Sequence, residues 1–213
     1  QPHRREEVLV VKDDPVDEAG ARAVLAASGL PAARAATNDR TAGASGARNS
    51  GARHASADVL AFLDDDDEWL PIYLETGLAI LDGGAVDIVC VDFLRCDPHG
   101  VERAGKAAPE RLESDAFLTR NPGFGGSNIL IRRELYHEVG GFDESLPTHN
   151  DVDLGLRLSL RPGVGYRPLH RPLVRVHEDF RRRLSPPRSA AGSTRSRSRA
   201  PITTGGCWPA SAG

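Results

Sequence analysis

The chain has 213 residues, enough for one α/β domain with a substantial core, and 39% hydrophobic against 27% charged residues lets most of it fold unaided. It holds no apolar run long enough to cross a bilayer and no charged-then-apolar leader, and its three cysteines (Cys90, Cys96, Cys207) have neither metal-ligand spacing nor the even number of a disulfide framework, so a cytoplasmic protein, at most peripheral to a membrane, is expected. The net charge of −3 hides an asymmetry: residues 181–213 carry seven arginines and no acid, leaving 20 basic against 30 acidic residues elsewhere, a balance that argues against a nucleic-acid binder.

In chain order, residues 7–12 form a valine-rich apolar run stopped by Asp13-Asp14-Pro15, which predicts a buried parallel strand and a loop at its C-terminal end. Residues 17–28 carry Ala and Leu at helical spacing, closed by Gly29 and Pro31. Residues 43–56, small and polar around Arg48-Asn49, suit a helix packed closely on a sheet. Residues 58–63 are the next buried strand and run directly into Asp64-Asp65-Asp66-Asp67. Trp69-Leu70-Pro71 then opens a helix expected to reach Leu81, and residues 85–94 give a third strand.

The second half is less regular. Residues 97–111 read as loop, 126–131 as a short strand, 132–139 as a helix stopped at Gly140-Gly141, and 151–160 as a further helix. Residues 164–176 are extended, but Pro168 and Pro172 predict an edge strand or two pieces. From Ser185 onward the composition is too poor in large apolar residues to offset ordering entropy, so 185–213 is expected to be a disordered tail behind a domain at 1–184.

Alternating strands and helices predict a sheet with right-handed crossovers, and ligands in such sheets gather beyond the strands' C-terminal ends. Both Asp13 and the Asp64–Asp67 run stand at such ends. Adjacent carboxylates raise one another's pKa unless a cation intervenes, and their oxygens suit Mg²⁺ or Mn²⁺. A solvated acidic loop is the bland alternative, since aspartates ahead of a helix also favour its dipole. The strand leading in and Trp69-Leu70-Pro71 leading out favour the metal.

Several segments together resemble family 2 glycosyltransferases of the GT-A fold. They are Ala47–Ala52, Ala61–Pro71, Gly126–Arg133 continuing through Val139–Glu144, and Asp151–Leu158, in the family's order. The resemblance implies an α/β, GT-A-type mixed and mostly parallel sheet flanked by helices, with a Rossmann-like nucleotide-binding half and an acceptor half. It implies a metal-dependent, inverting transfer of a sugar from a nucleotide-diphospho-sugar, most simply a UDP-sugar, to a hydroxyl of a carbohydrate, lipid or small-molecule acceptor. Nucleotide-sugar binding falls to Asp13, Arg48, Asp64 and Asp65, with Asp67 in support. The metal, Mn²⁺ or Mg²⁺, falls to Asp66 and His177, and the general base to Asp151. The family's usual Glu-Asp reads Asn150-Asp151 here. The family also places a strand and helix ahead of the position of Val8, so the resemblance implies a domain lacking them. Two rivals stand beside this reading: a sugar-phosphate nucleotidyltransferase, which also uses carboxylate-bound Mg²⁺, and an inactive transferase-like remnant.

Overall fold

Ile88, Val89, Cys90 and Val91 are all fully buried, which requires a strand covered on both faces. They open β5 (Ile88–Cys96), the centre of a six-stranded sheet in the computed structural model, which describes residues 7–13, 18–27 and 32–178. Around it lie β3 (Val59–Ala61), β4 (Asp67–Trp69), β6 (Glu102–Ala104), β7 (Ile129–Arg132) and β8 (Tyr166–His177). The order is β3-β7-β5-β8-β4, with β6 continuing the edge of β5 beyond β7. A separate two-stranded sheet joins β1 (Val8–Lys12) to β2 (Ala33–Thr37). The six-stranded sheet is mixed: its one parallel pairing, β5–β8, runs over nine residue pairs and its antiparallel pairings over three each, while the separate β1–β2 sheet is parallel over five.

The period-two alternation of strand side chains divides the core in two. Ile88, Cys90, Ile129 and Ile131 point to one face, where they pack with Phe62, Phe117, Phe124, Tyr136, Phe142, Leu154 and Leu158. Val89, Val91 and Leu130 point to the other, against Tyr73, Leu81, Leu173 and Val174. The first face is covered by α4 (Ser114–Thr119), α5 (Arg133–Glu138) and α6 (Asn150–Ser159), and the second by α3 (Tyr73–Leu81). Burial pushes the Cys90 thiol up to about 12, so this cysteine is an inert core residue, as its apolar setting in the sequence predicts.

Helix α1 (Glu18–Ala27) packs on β2, and α2 (Ala44–His54) runs beneath β1. A side chain at Gly51 would reach Val11, so the small residues of α2 do permit the close approach expected of them. The Glu7 carboxylate accepts from the Ser56 and Ala57 amides and the Ser56 hydroxyl, fastening the start of β1 to the chain entering β3.

Four short elements escape the sequence reading: β2, β4, β6 and α4. Trp69 does not open a helix. It ends β4, and α3 begins only at Tyr73, because Asp67–Trp69 find a ladder on Val174–Val176. β8 is one strand and not two pieces, but its first half pairs only with β5 and is an edge, as its prolines predict, while its second half lies between β5 and β4. Pro168 and Pro172 fall where β4 does not reach, and register shifts beside Asp92 absorb the missing donors. The proposed tail at 185–213, with Arg181–Arg183, lies outside the described residues.

Helix α6 meets α4 at Gly155, where an added Cβ would stand 2.2 Å from the ring of buried Phe117. Alanine improves intrinsic helix propensity by about 1 kcal/mol, but overpacking costs about 1–3 kcal/mol. Gly155→Ala is therefore expected to lower the urea midpoint despite the better helix former, and a raised midpoint would refute this packing.

Candidate active site

Past β3, Phe62 turns inward onto Tyr136 and Phe142, with ring centroids 5.2 and 5.6 Å apart. The chain then enters the acidic run, where the Asp67 amide donates to the Asp64 carbonyl at 3.1 Å and closes a turn. Two structures grip this turn. From α2, one terminal nitrogen of Arg48 donates to both Asp64 carboxylate oxygens, at 2.5 and 2.7 Å. From the segment ahead of β7, the buried Ser127 hydroxyl accepts from the Asp64 amide at 3.3 Å and bonds the Asp67 carboxylate. The Ser127 carbonyl also accepts from the Trp69 indole at 2.9 Å.

Arg48 is itself tightly placed. Its guanidinium carbon lies 4.9 Å from the Phe142 ring centroid, a cation–π distance. Any Cβ at Gly126 would fall within about 3 Å of the same group, so only glycine leaves room for it. Asn49, the next residue on α2, locks the loop that supplies Phe142. Its amide nitrogen donates to the Phe142 carbonyl and to Glu144, both at 2.8 Å, while its oxygen accepts from the Tyr136 hydroxyl and the Phe142 amide. Arg40 and Thr41 also hold Glu144, and these bonds outweigh burial and lower its carboxyl to about 2.

Asp67 is shifted the other way. Burial, reinforced by the charges of Asp64 and Asp66 and opposed by Ser127 and His177, raises it from 3.8 to about 6. The turn is thus a place where negative charge is already costly, as the sequence predicts, and where a cation would relieve that cost.

Of the metal candidates, Asp66 lies in the turn just ahead of β4, and His177 ends β8, the strand that β4 pairs with antiparallel from Asp67 opposite Val176 onward. The His177 Nε2 meets Glu68 at 2.9 Å, and Glu68 also pairs with Arg175, which together hold its carboxyl below the usual range. Among the described residues, no three His, Cys, Asp or Glu side chains form a ready-made metal cluster. This donor set fits a Mg²⁺-like ion that takes one or two protein ligands and completes its shell from phosphate oxygens and water.

Asp13 lies apart from this group. It accepts from Asn38 at 2.7 Å and from the Gly43 amide at 2.9 Å, in the turn leading into α2. Asp151 occupies the first turn of α6, where its carboxylate accepts from Asn121 and from the Val152 amide. Beside it, Asn150 donates to Ser45 at the start of α2 at 2.8 Å, so the helices carrying Arg48 and Asp151 meet at their N-terminal ends. Ser127, Gly126, Asn49 and Asn121 were not singled out from sequence. The first three lie inside motifs that were, but nothing in their spacing reveals a hydroxyl between two carboxylates or an amide between two loops.

The solved structures to which this chain is similar share its fold. S. aureus TarS residues 1–349 superpose with a TM-score of 0.58 at 18% identity, covering 80% of this chain and 51% of that one. A mannosyltransferase from Pyrobaculum calidifontis, in complex with GDP-Man and Mn²⁺, gives 0.53 at 20% identity, over 81% of this chain and 47% of that one. The architecture is that of the GT-A glycosyltransferases. Residues 1–140 match the family described as Glycosyl transferase family 2, and the chain belongs to that family. An uncharacterized glycosyltransferase of Haemophilus influenzae is 27% identical over 140 residues, 64% of this chain and 48% of that protein. An Escherichia coli UDP-Glc:α-D-GlcNAc-diphosphoundecaprenol β-1,3-glucosyltransferase is 28% identical over 125 residues, 58% of this chain and 46% of that protein. The chain spans about half the length of these curated relatives.

The raised Asp67 carboxyl has a definite sign. A folded-state value of about 6 against 3.8 means the folded chain binds the proton more tightly, so its contribution to stability is full below pH about 4 and is lost as pH rises through about 6. Glu144, lowered to about 2, acts in a separate window and loses its contribution only as pH falls. In chelator, the stability difference between wild type and Asp67→Asn should therefore change between pH 4 and 6.5. Parallel urea-derived curves across that range would show that Asp67 is not desolvated.

Proposed function

We propose that this chain is the donor-binding and catalytic part of an inverting, metal-dependent glycosyltransferase that uses a nucleotide-diphospho-sugar. The observation that carries the reading is the acidic turn at the C-terminal end of β3, with Asp64 clamped by Arg48 and Asp67 desolvated beside Ser127. Family membership supports sugar transfer as the reaction class. A UDP-sugar is the leading donor in this reading. TarS has been solved with UDP-GlcNAc and the P. calidifontis enzyme with GDP-Man and Mn²⁺, which supports a nucleotide-sugar and a divalent ion for this fold.

In the proposed chemistry, Asp13, Arg48, Asp64 and Asp65 hold the nucleotide-sugar, and Asp66 with His177 holds Mn²⁺ or Mg²⁺. The ion would neutralise charge building on the departing diphosphate. For His177 to serve, it exchanges its bond to Glu68 for the ion, and Arg175 remains to balance Glu68. An acceptor hydroxyl attacks the anomeric carbon as Asp151 takes its proton. The bond from that carbon to the diphosphate oxygen breaks, its electron pair leaves on the nucleoside diphosphate, and the anomeric configuration inverts. The carboxylate of Asp151 needs only to lie within hydrogen-bond reach of that hydroxyl to contribute about 10²–10⁴-fold.

Release of UDP from UDP-glucose, with Mn²⁺ titrated in, tests the assignment. Asp66→Ala should abolish the Mn²⁺ dependence, and a full metal-dependent rate in this variant would remove Asp66 from the metal site. Asp151→Asn should lower kcat by about 10²-fold or more while leaving UDP affinity, measured by calorimetry, within about twofold. An unchanged kcat would remove Asp151 as the base.

A further inference from the structure

Asn121 is the most fully engaged side chain near the proposed base. Its oxygen accepts from the Gly123 amide at 2.8 Å and the Phe124 amide at 3.0 Å. Its nitrogen donates to the Phe124 carbonyl and to Asp151, both at 2.9 Å. Two backbone N–H groups can meet only an oxygen, so the amide has one orientation, and its NH₂ must face Asp151.

We propose that Asn121 is a positioning residue for Asp151, fixing that carboxylate relative to the acidic turn through the rigid segment 121–128; the proposal rests on Asp151 being the general base. Three observations support it. The segment is cross-braced at its far end by buried Asn128, which donates to the Val91 and Gly123 carbonyls at 2.6 and 2.9 Å and accepts from the Gly125 amide at 2.8 Å. Its middle is fixed to the core by Phe124, fully buried and edge-on to Phe117 at 5.7 Å. Its last residues are those that meet the donor side, with Gly126 against the Arg48 guanidinium and Ser127 on Asp64. One braced segment therefore bonds Asp151 at one end and, at the other, the Asp64 amide and the Asp67 carboxylate of the acidic turn.

The choice of an amide is chemically apt. Asp153, two residues further along α6, is held by Arg157, and Glu144 by Arg40, each a guanidinium that stabilises the ionised carboxylate strongly. Asp151 receives neutral donors on both oxygens, Asn121 on one and the Val152 amide on the other. A neutral donor orients a carboxylate without tying its charge to a cation, and each oxygen keeps a lone pair for the acceptor proton. This distinguishes Asp151 from its neighbour Asp153 as the proton acceptor, on geometry the sequence does not show.

The test is a double-mutant cycle on UDP release from UDP-glucose with Mn²⁺, using Asn121→Asp, Asp151→Asn and the pair. Asn121→Asp keeps the acceptor for the Gly123 and Phe124 amides, loses the NH₂ that serves Asp151 and the Phe124 carbonyl, and sets a like charge beside Asp151 that the Asp151→Asn pair removes. The expected result is a fall in kcat of about tenfold or more for Asn121→Asp, an unchanged KM for UDP-glucose, and no further loss when Asp151→Asn is added. A second readout is independent of turnover: the Asn121 side-chain NH₂ resonances should shift with pH in wild type and stop doing so in Asp151→Asn. Full multiplicative loss in the double variant, or a wild-type kcat in Asn121→Asp when Asp151→Asn is impaired, overturns the positioning role alone. A wild-type kcat in Asp151→Asn overturns the base assignment and this proposal with it. Side-chain resonances insensitive to pH would show that the contact itself is absent.

Discussion

Arg48 carries a positive charge into a space that is nearly closed. The Phe142 ring covers one side, the α-carbon of Gly126 leaves room for nothing more on the other, and the Nε has no hydrogen-bond partner among the described residues. A guanidinium taken this far out of water must be paired, and Asp64 is the carboxylate that pairs it. Much of the site follows from this constraint. Asp64 must stand at the end of β3, so the chain must turn immediately, and the turn draws Asp67 under Ser127 and away from water. Phe142 must stay over the guanidinium, so the loop at 140–145 needs Asn49 and Arg157 to fasten its backbone.

The same pairing changes how the four consecutive aspartates behave. Read as a sequence, the run is four like charges at one point. In the structure both Asp64 oxygens are engaged by Arg48, and Asp67 is raised to about 6. In the proposed reading, Arg48 therefore offsets part of the charge that the run alone would leave entirely to a metal.

The legible parts of this molecule are those where one physical signal dominates. The buried strands β3 and β5, the helix at Ala44–His54 and the position of the acidic run follow from apolar runs, small residues and a charge cluster at a strand end. β2 reads Ala-Arg-Ala-Ala-Thr, which has no strand signature and becomes a strand only by pairing with β1. Asp67-Glu68-Trp69 is similar: its polarity speaks against a strand, and β8 makes it one. Pro168 and Pro172, by contrast, mark correctly the half of β8 that stays an edge. Their missing donors matter only where a neighbour would accept, and β4 stops short of them. The site divides in the same way. The carboxylates and Arg48 are visible as charges, whereas Ser127, Gly126 and Asn121 act through a hydroxyl, an empty volume and an oriented amide, which exist only once distant segments meet.

Those three quieter residues all fall between 121 and 128, a stretch with glycine at 123, 125 and 126. Glycine at 123 is required by its backbone angle of +104° and by the Ala107 carbonyl, which a Cβ would strike at 2.0 Å, and at 126 by Arg48. The glycines here serve close packing, not phosphate binding, and the segment is stiff because Asn121 and Asn128 hydrogen-bond its backbone from both ends. Stiffness is what a transfer reaction between two bound groups demands, because an error of about 1 Å between attacking and departing atoms can cost about 10²-fold in rate. Bracing the acidic turn and the proposed base from one stiff segment would meet that demand without either group touching the other.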